Sequence, residues 1–187
     1  MKSLKNKNYS GFTLIEVIMA VSLSFVVLLI IYNVHILSQK TFRVSDERLE
    51  IMQNGRIVLD RLTREIRQTP KVVTPLPPGK SEIGFPPPKE IQFQDGHDLT
   101  TIQYLKYFLS GDLLTRQRLV YWFSNEPLTY VDWNASDKFG NLPQRSVLEE
   151  KTIAEYLDNL IFYGSSIVNI EIWLKRGDTA EQLITSV

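Results

Sequence analysis

The chain has 187 residues, 43% of them apolar, which suits one compact domain plus an appendage. Its 21 basic and 21 acidic groups balance, which argues against a nucleic-acid groove or a polyanion-binding face. With no cysteine and only two histidines, His35 and His97, it lacks the material for disulfides, thiolate catalysis or a histidine-rich metal centre.

Residues 1–11 (MKSLKNKNYSG) are polar, with three lysines and no acid. From Phe12 to Leu37 the chain is apolar apart from a few small or neutral polar residues, His35 and one charge, Glu16. As a helix this stretch would span about 39 Å, more than the roughly 30 Å of a bilayer's hydrocarbon. It therefore reads as a membrane-spanning helix, and the preceding lysines place the N-terminus in the cytoplasm and everything after about residue 38 outside. A cleaved secretory signal fits poorly. The apolar run is too long, and Ser38-Gln39-Lys40-Thr41-Phe42 offers no small-x-small site. An uncut signal anchor is the more serious rival.

Glu16 separates the two. A carboxylate near the edge of an apolar span costs on the order of 2–3 kcal/mol, so such a residue is usually functional. The string Gly11-Phe12-Thr13-Leu14-Ile15-Glu16-Val17, preceded by lysines and followed by some twenty apolar residues, resembles the prepilin leader of type IV pilins and pseudopilins. The resemblance implies that a membrane aspartyl protease, the prepilin peptidase, cuts between Gly11 and Phe12 and methylates the new amine of Phe12. It makes Glu16 the subunit-assembly residue, one helical turn from the mature N-terminus. A freed Phe12 amine and a neighbour's Glu16 would each be dry inside a filament, and pairing them would relieve both and fix axial register. Cutting would remove three lysines from the 21 basic groups, leaving 18 against 21 acidic.

Beyond Leu37 the chain turns polar but keeps Phe42, Leu49, Met52, Leu59, Leu62 and Ile66 at helical spacing, with Ile51 and Val58 alongside. Arg56–Asp60, Asp60–Arg64 and Arg61–Glu65 are i,i+4 pairs expected on the wet side. Pro70 ends the run. The spacing predicts one helix, membrane-spanning over 12–37 and amphipathic over 38–69, roughly 85 Å long. Many major pilins carry a proline in the apolar half; here none occurs between residues 12 and 69, so the resemblance does not extend to that bend.

Residues 70–89 hold seven of the nine prolines and read as an extended connector. Residues 90–187 have β texture. Strands are expected near Ile91–Gln94, 101–109, Leu113–Phe123, Ile153–Tyr163, Ile167–Leu174 and Leu183–Val187, with residues 124–150 a polar, turn-rich stretch. Five or six antiparallel strands need their apolar face covered, and the second half of the helix can cover it. The expected fold class is α+β, a long helix whose outer half lies on an antiparallel sheet, as in type IV pilins. Residues Gln53–Gln68, Ile91-Gln92-Phe93, Ile102-Gln103-Tyr104 and Leu114-Thr115-Arg116 are similar to W-type minor pilins and J-type minor pseudopilins.

The sequence holds no nucleophile beside a base, no phosphate-binding glycine loop and no metal-ligand spacing, so neither enzyme activity nor a cofactor is expected. Asp132, Asn134 and Ser136 open like a calcium loop, and some pseudopilins do bind calcium in their heads. Asp137 and Pro143 stand where its sixth-position glycine and twelfth-position acid belong, so a polar turn is expected. Tyr121, Trp122, Phe123, Tyr130 and Trp133 form an aromatic group that fills a sheet core or, exposed, contacts a ligand or neighbouring subunit. Together these readings imply a minor pilin or pseudopilin. It would be held in the inner membrane as a single-pass precursor, then assembled with other minor and major subunits into a pilus or a secretion or competence pseudopilus, in its tip or priming complex. The rival is an uncleaved, signal-anchored binding module with an aromatic-rich β head.

Overall fold

The computed structural model describes residues 11–97 and 100–187; the leader lysines Lys2, Lys5 and Lys7 lie outside the described residues. The element order is one helix followed by eight strands: α1 (Leu14–Gln68), β1 (Glu90–Gln94), β2 (Tyr104–Ser110), β3 (Leu113–Phe123), β4 (Glu126–Tyr130), β5 (Gln144–Ala154), β6 (Leu157–Tyr163), β7 (Asn169–Arg176) and β8 (Thr179–Ser186). This is the expected α+β plan. The chain divides into two units, residues 1–45 and 46–187.

In the first unit α1 is bare, its apolar side chains from Leu14 to Leu37 exposed. Its 18-residue apolar window has a mean hydropathy of 2.9, enough to cross a membrane. Polar side chains here bond to their own helix. Ser22 and Ser24 hydroxyls donate to the carbonyls of Ile18 and Ala20 (2.9 and 2.8 Å), and Asn33 Nδ2 donates to that of Leu29 at 2.9 Å. These self-contained bonds leave little for lipid to desolvate.

In the second unit the last part of α1 packs on two antiparallel sheets rather than one. The first has the order β1-β2-β3-β4, with β5 on the other side of β3; the second has the order β6-β7-β8. Helix residues Ile51, Val58, Leu62 and Ile66 share one core with Phe93, Leu105 and Tyr107 of the first sheet and Leu160, Phe162 and Ile172 of the second. The buried stripe differs from the sequence expectation. It runs Ile51, Gly55, Val58, Leu59, Leu62, Glu65, Ile66, while Leu49 is 68% exposed and Phe42 falls in the first unit. Gly55 explains the phase. A Cβ there would lie 2.5 Å from Leu183 Cδ1 and 2.9 Å from Leu174 Cδ1, so the glycine lets the second sheet approach the helix backbone. Arg48–Glu181 (2.7 Å) and Arg176–Glu50 bridge the same contact.

Arg61–Glu65 forms at 3.2 Å, but not on the wet side. Glu65 is buried, accepts the Tyr107 hydroxyl at 2.6 Å, and has Arg116 Nε at 3.5 Å. Burial, and then Glu65 itself, push the Tyr107 phenol up from its ordinary value. A carboxylate can be buried here because the sheet supplies a hydroxyl and a guanidinium. Beyond the helix, residues 71–74 run along β1: Gln94 N–H donates to Lys71 O (2.9 Å) and Val73 N–H to Gln92 O (2.8 Å). Farther on, the carbonyls of Pro77 and Pro88 accept from Gly164 and Phe162 N–H of the β6 side (2.7 and 3.1 Å). Prolines cannot donate, so they suit a segment that must only accept.

The expected polar stretch 124–150 contains β4 and most of β5. Eight of the eleven residues of β5 are exposed and none is buried, so the strand shows none of the in-out alternation by which strands are recognised.

Candidate assembly site at the start of the helix

Thr13 is the N-cap of α1 and Glu16 its third residue in. Glu16 Oε2 accepts both the Thr13 backbone N–H and the Thr13 hydroxyl at 2.8 Å, while Glu16 N–H points back to Thr13 Oγ1 at 3.4 Å. This is the reciprocal capping box, Thr-x-x-Glu, which satisfies donors that a helix start otherwise leaves open. Val17 N–H to Thr13 O at 3.3 Å is the first helical bond. Thr-x-x-Glu just before an apolar run is the sequence signature of this cap, and it makes Thr13 part of the site beside Glu16. Among the described residues only Oε2 of Glu16 is engaged, so Oε1 has room for a further donor. Just ahead, Phe12 is 88% exposed, and among the described residues nothing lies within 4 Å of where a Gly11 side chain would begin. Gly11 and Phe12 lie outside the helix, which starts at Leu14.

Residues 6–32 match the family model of the prokaryotic N-terminal methylation motif. The chain carries a type IV pilin-like prepilin leader. A prepilin leader implies a prepilin peptidase as its processing partner and a membrane setting shared with other pilin subunits. The motif and the one long apolar helix among the described residues fit a single-pass inner-membrane protein with the type IV pilin arrangement of helix and antiparallel sheets. Families with this motif are generally structural rather than catalytic. No curated protein and no solved structure matches the chain.

The remaining candidate residues lie in the second unit, apart from His35. Trp122 stands opposite Tyr130 in the β3–β4 pair. Tyr121 packs edge-on against Tyr104 (5.3 Å, 86°), and its hydroxyl accepts from Gln92 Nε2 at 3.0 Å. The Trp133 backbone N–H donates to the Tyr104 hydroxyl (3.2 Å), which in turn donates to Asp132 Oδ1 (2.9 Å). Tyr104, buried, is thus the post around which Tyr121, Asp132 and Trp133 gather. Burial pushes its phenol up to about 12. Asp132 and Ala135 close a turn (3.0 Å), Asn134 and Ser136 are exposed, and no group of three or more His, Cys, Asp or Glu placed to hold a metal occurs among the described residues. His97 pairs with Asp95 at 2.8 Å, and His35 Nε2 lies 2.9 Å from Gln39 Nε2.

Proposed function

We propose that the chain is a minor pilin or pseudopilin, a structural subunit cut by prepilin peptidase after Gly11, methylated on Phe12, and assembled through Glu16. It is stored in the inner membrane with residues 1–11 in the cytoplasm and residues beyond about 38 outside, over the divisions 12–37 (membrane), 38–69 (amphipathic helix), 70–89 (connector) and 90–187 (head). It then enters a type IV pilus or a type II secretion or competence pseudopilus, in the tip or priming complex. The observation that carries this reading is the methylation motif over residues 6–32 seated on a 55-residue helix whose apolar half bears a single carboxylate. The cap uses only Oε2 of Glu16, which supports its role, because a neighbour's Phe12 ammonium can bind Oε1 without dismantling the cap. The similarity of Gln53–Gln68 and of the first strands to W-type and J-type minor subunits supports the placement at a tip.

Glu16→Ala tests the assembly role. The variant should insert into the membrane as the unmodified chain does, while its recovery in sheared filaments falls at least ten-fold. Normal incorporation of Glu16→Ala would overturn the assignment.

A further inference from the structure

Several strand edges in the head are sealed by the chain itself: β1 by residues 71–74 and β6 by the Pro77 and Pro88 carbonyls. β5 is not. This 11-residue strand pairs β3 on one side, and among the described residues no strand pairs its other side. A long open edge is a template for another strand.

Its sequence complements itself in one register. The β3–β5 ladder sets Arg118 against Glu149 but Leu119 against Val147, so Leu148 is a bulge. β3 is regular there, since Arg118 and Leu119 take consecutive partners, Leu105 and Tyr104, on β2. Arg145 stands opposite Tyr121 and Glu150 opposite Gln117, four residues apart on β3 and hence on one face. Residues five apart on an unbulged strand point to opposite faces; the bulge puts Arg145 and Glu150 on the same one. A two-fold axis through the sheet between Val147 and Leu148 then sets Arg145 against Glu150 of a second copy, Ser146 against Glu149, and Val147 against Leu148, each pair twice. Val147 and Leu148 are 44% and 48% exposed, and Gln117 Nε2 holds the Glu150 carboxylate at 2.6 Å. Neither β4 nor β8 can do this: β4 carries only Glu126, beside a proline, and β8 only Glu181, already bound to Arg48.

We propose that two copies of this chain join antiparallel through β5 in this register, extending the first sheet across a two-fold axis. Such a contact closes on itself and cannot propagate along a filament, so it links two heads side by side. The proposal concerns the head alone and does not depend on cleavage at Gly11 or on Glu16.

The test is sedimentation of the full-length chain in detergent, with circular dichroism to confirm folding. The unmodified chain should dimerise. Arg145→Glu and Glu150→Arg each break both ion pairs and should raise the dissociation constant by about ten-fold; the double variant R145E/E150R should recover most of that loss. Because the chain has no cysteine, Ser146→Cys and Glu149→Cys chains, mixed and mildly oxidised, should cross-link. A monomeric unmodified chain, reversals without effect, a double variant as weak as the singles, or absent cross-links in the mixture would each overturn the proposal.

Discussion

Gly55→Ala is the sharpest probe of how the helix meets the sheets. Alanine is the better helix former by about 0.8–1.0 kcal/mol, so in an open helix the change would stabilise. Here the new methyl would sit 2.5 and 2.9 Å from the ends of Leu183 and Leu174, well inside van der Waals contact. Those are far ends of flexible side chains, so some relief by rotation is available. Inserting a methylene-sized group into a packed core costs about 1–3 kcal/mol. The terms oppose each other, and the clash should win, leaving Gly55→Ala destabilised by about 1 kcal/mol and Gly55→Leu by about 3 kcal/mol or more. Urea unfolding of the full chain in detergent, followed by tryptophan fluorescence, measures both. If Gly55→Ala gains about 1 kcal/mol, the propensity value, the close approach of Leu174 and Leu183 does not exist.

Three more outcomes follow from the geometry. Thr13→Ala removes the N-cap and should cost about 0.5–2 kcal/mol at the helix start, read as faster amide exchange over residues 13–17, while Thr13→Ser should change little. Glu171 is buried, which alone pushes its carboxyl up, but Lys80 (2.5 Å), Tyr163 (2.8 Å) and Gln182 outweigh burial and hold it below the ordinary glutamate value. The unfolded chain therefore takes up protons first, so this contribution is present above about pH 4.5 and lost as pH falls below it. Lys80→Met should weaken that acid dependence and cost about 1–2 kcal/mol at pH 7 in urea unfolding. Tyr104, raised to about 12, has the opposite sign: its contribution holds below pH 10 and disappears between 10 and about 12, a slope that Tyr104→Phe should remove.

The long helix was legible because its two halves use different signals, an unbroken apolar run and then a 3.6-residue period, and because Pro70 stops it. The leader was legible from seven consecutive residues. The phase of the buried stripe was not, because its pivot is Gly55, which has no side chain to register as apolar. Glu65 read as a solvated pair member with Arg61, since its partners Tyr107 and Arg116 come from strands about 40 and 50 residues away. The split into two sheets was hidden for a similar reason. β5 has no buried residue and is bulged at Leu148, so it lacks the period-2 alternation that marks Ile91–Gln94.

Mass spectrometry of the N-terminal peptide from chain isolated out of its own membranes tests the central claim most directly. A peptide beginning with N-methylated Phe12 is the expected result. A peptide beginning at Met1, with Lys2 to Gly11 still attached, would contradict it.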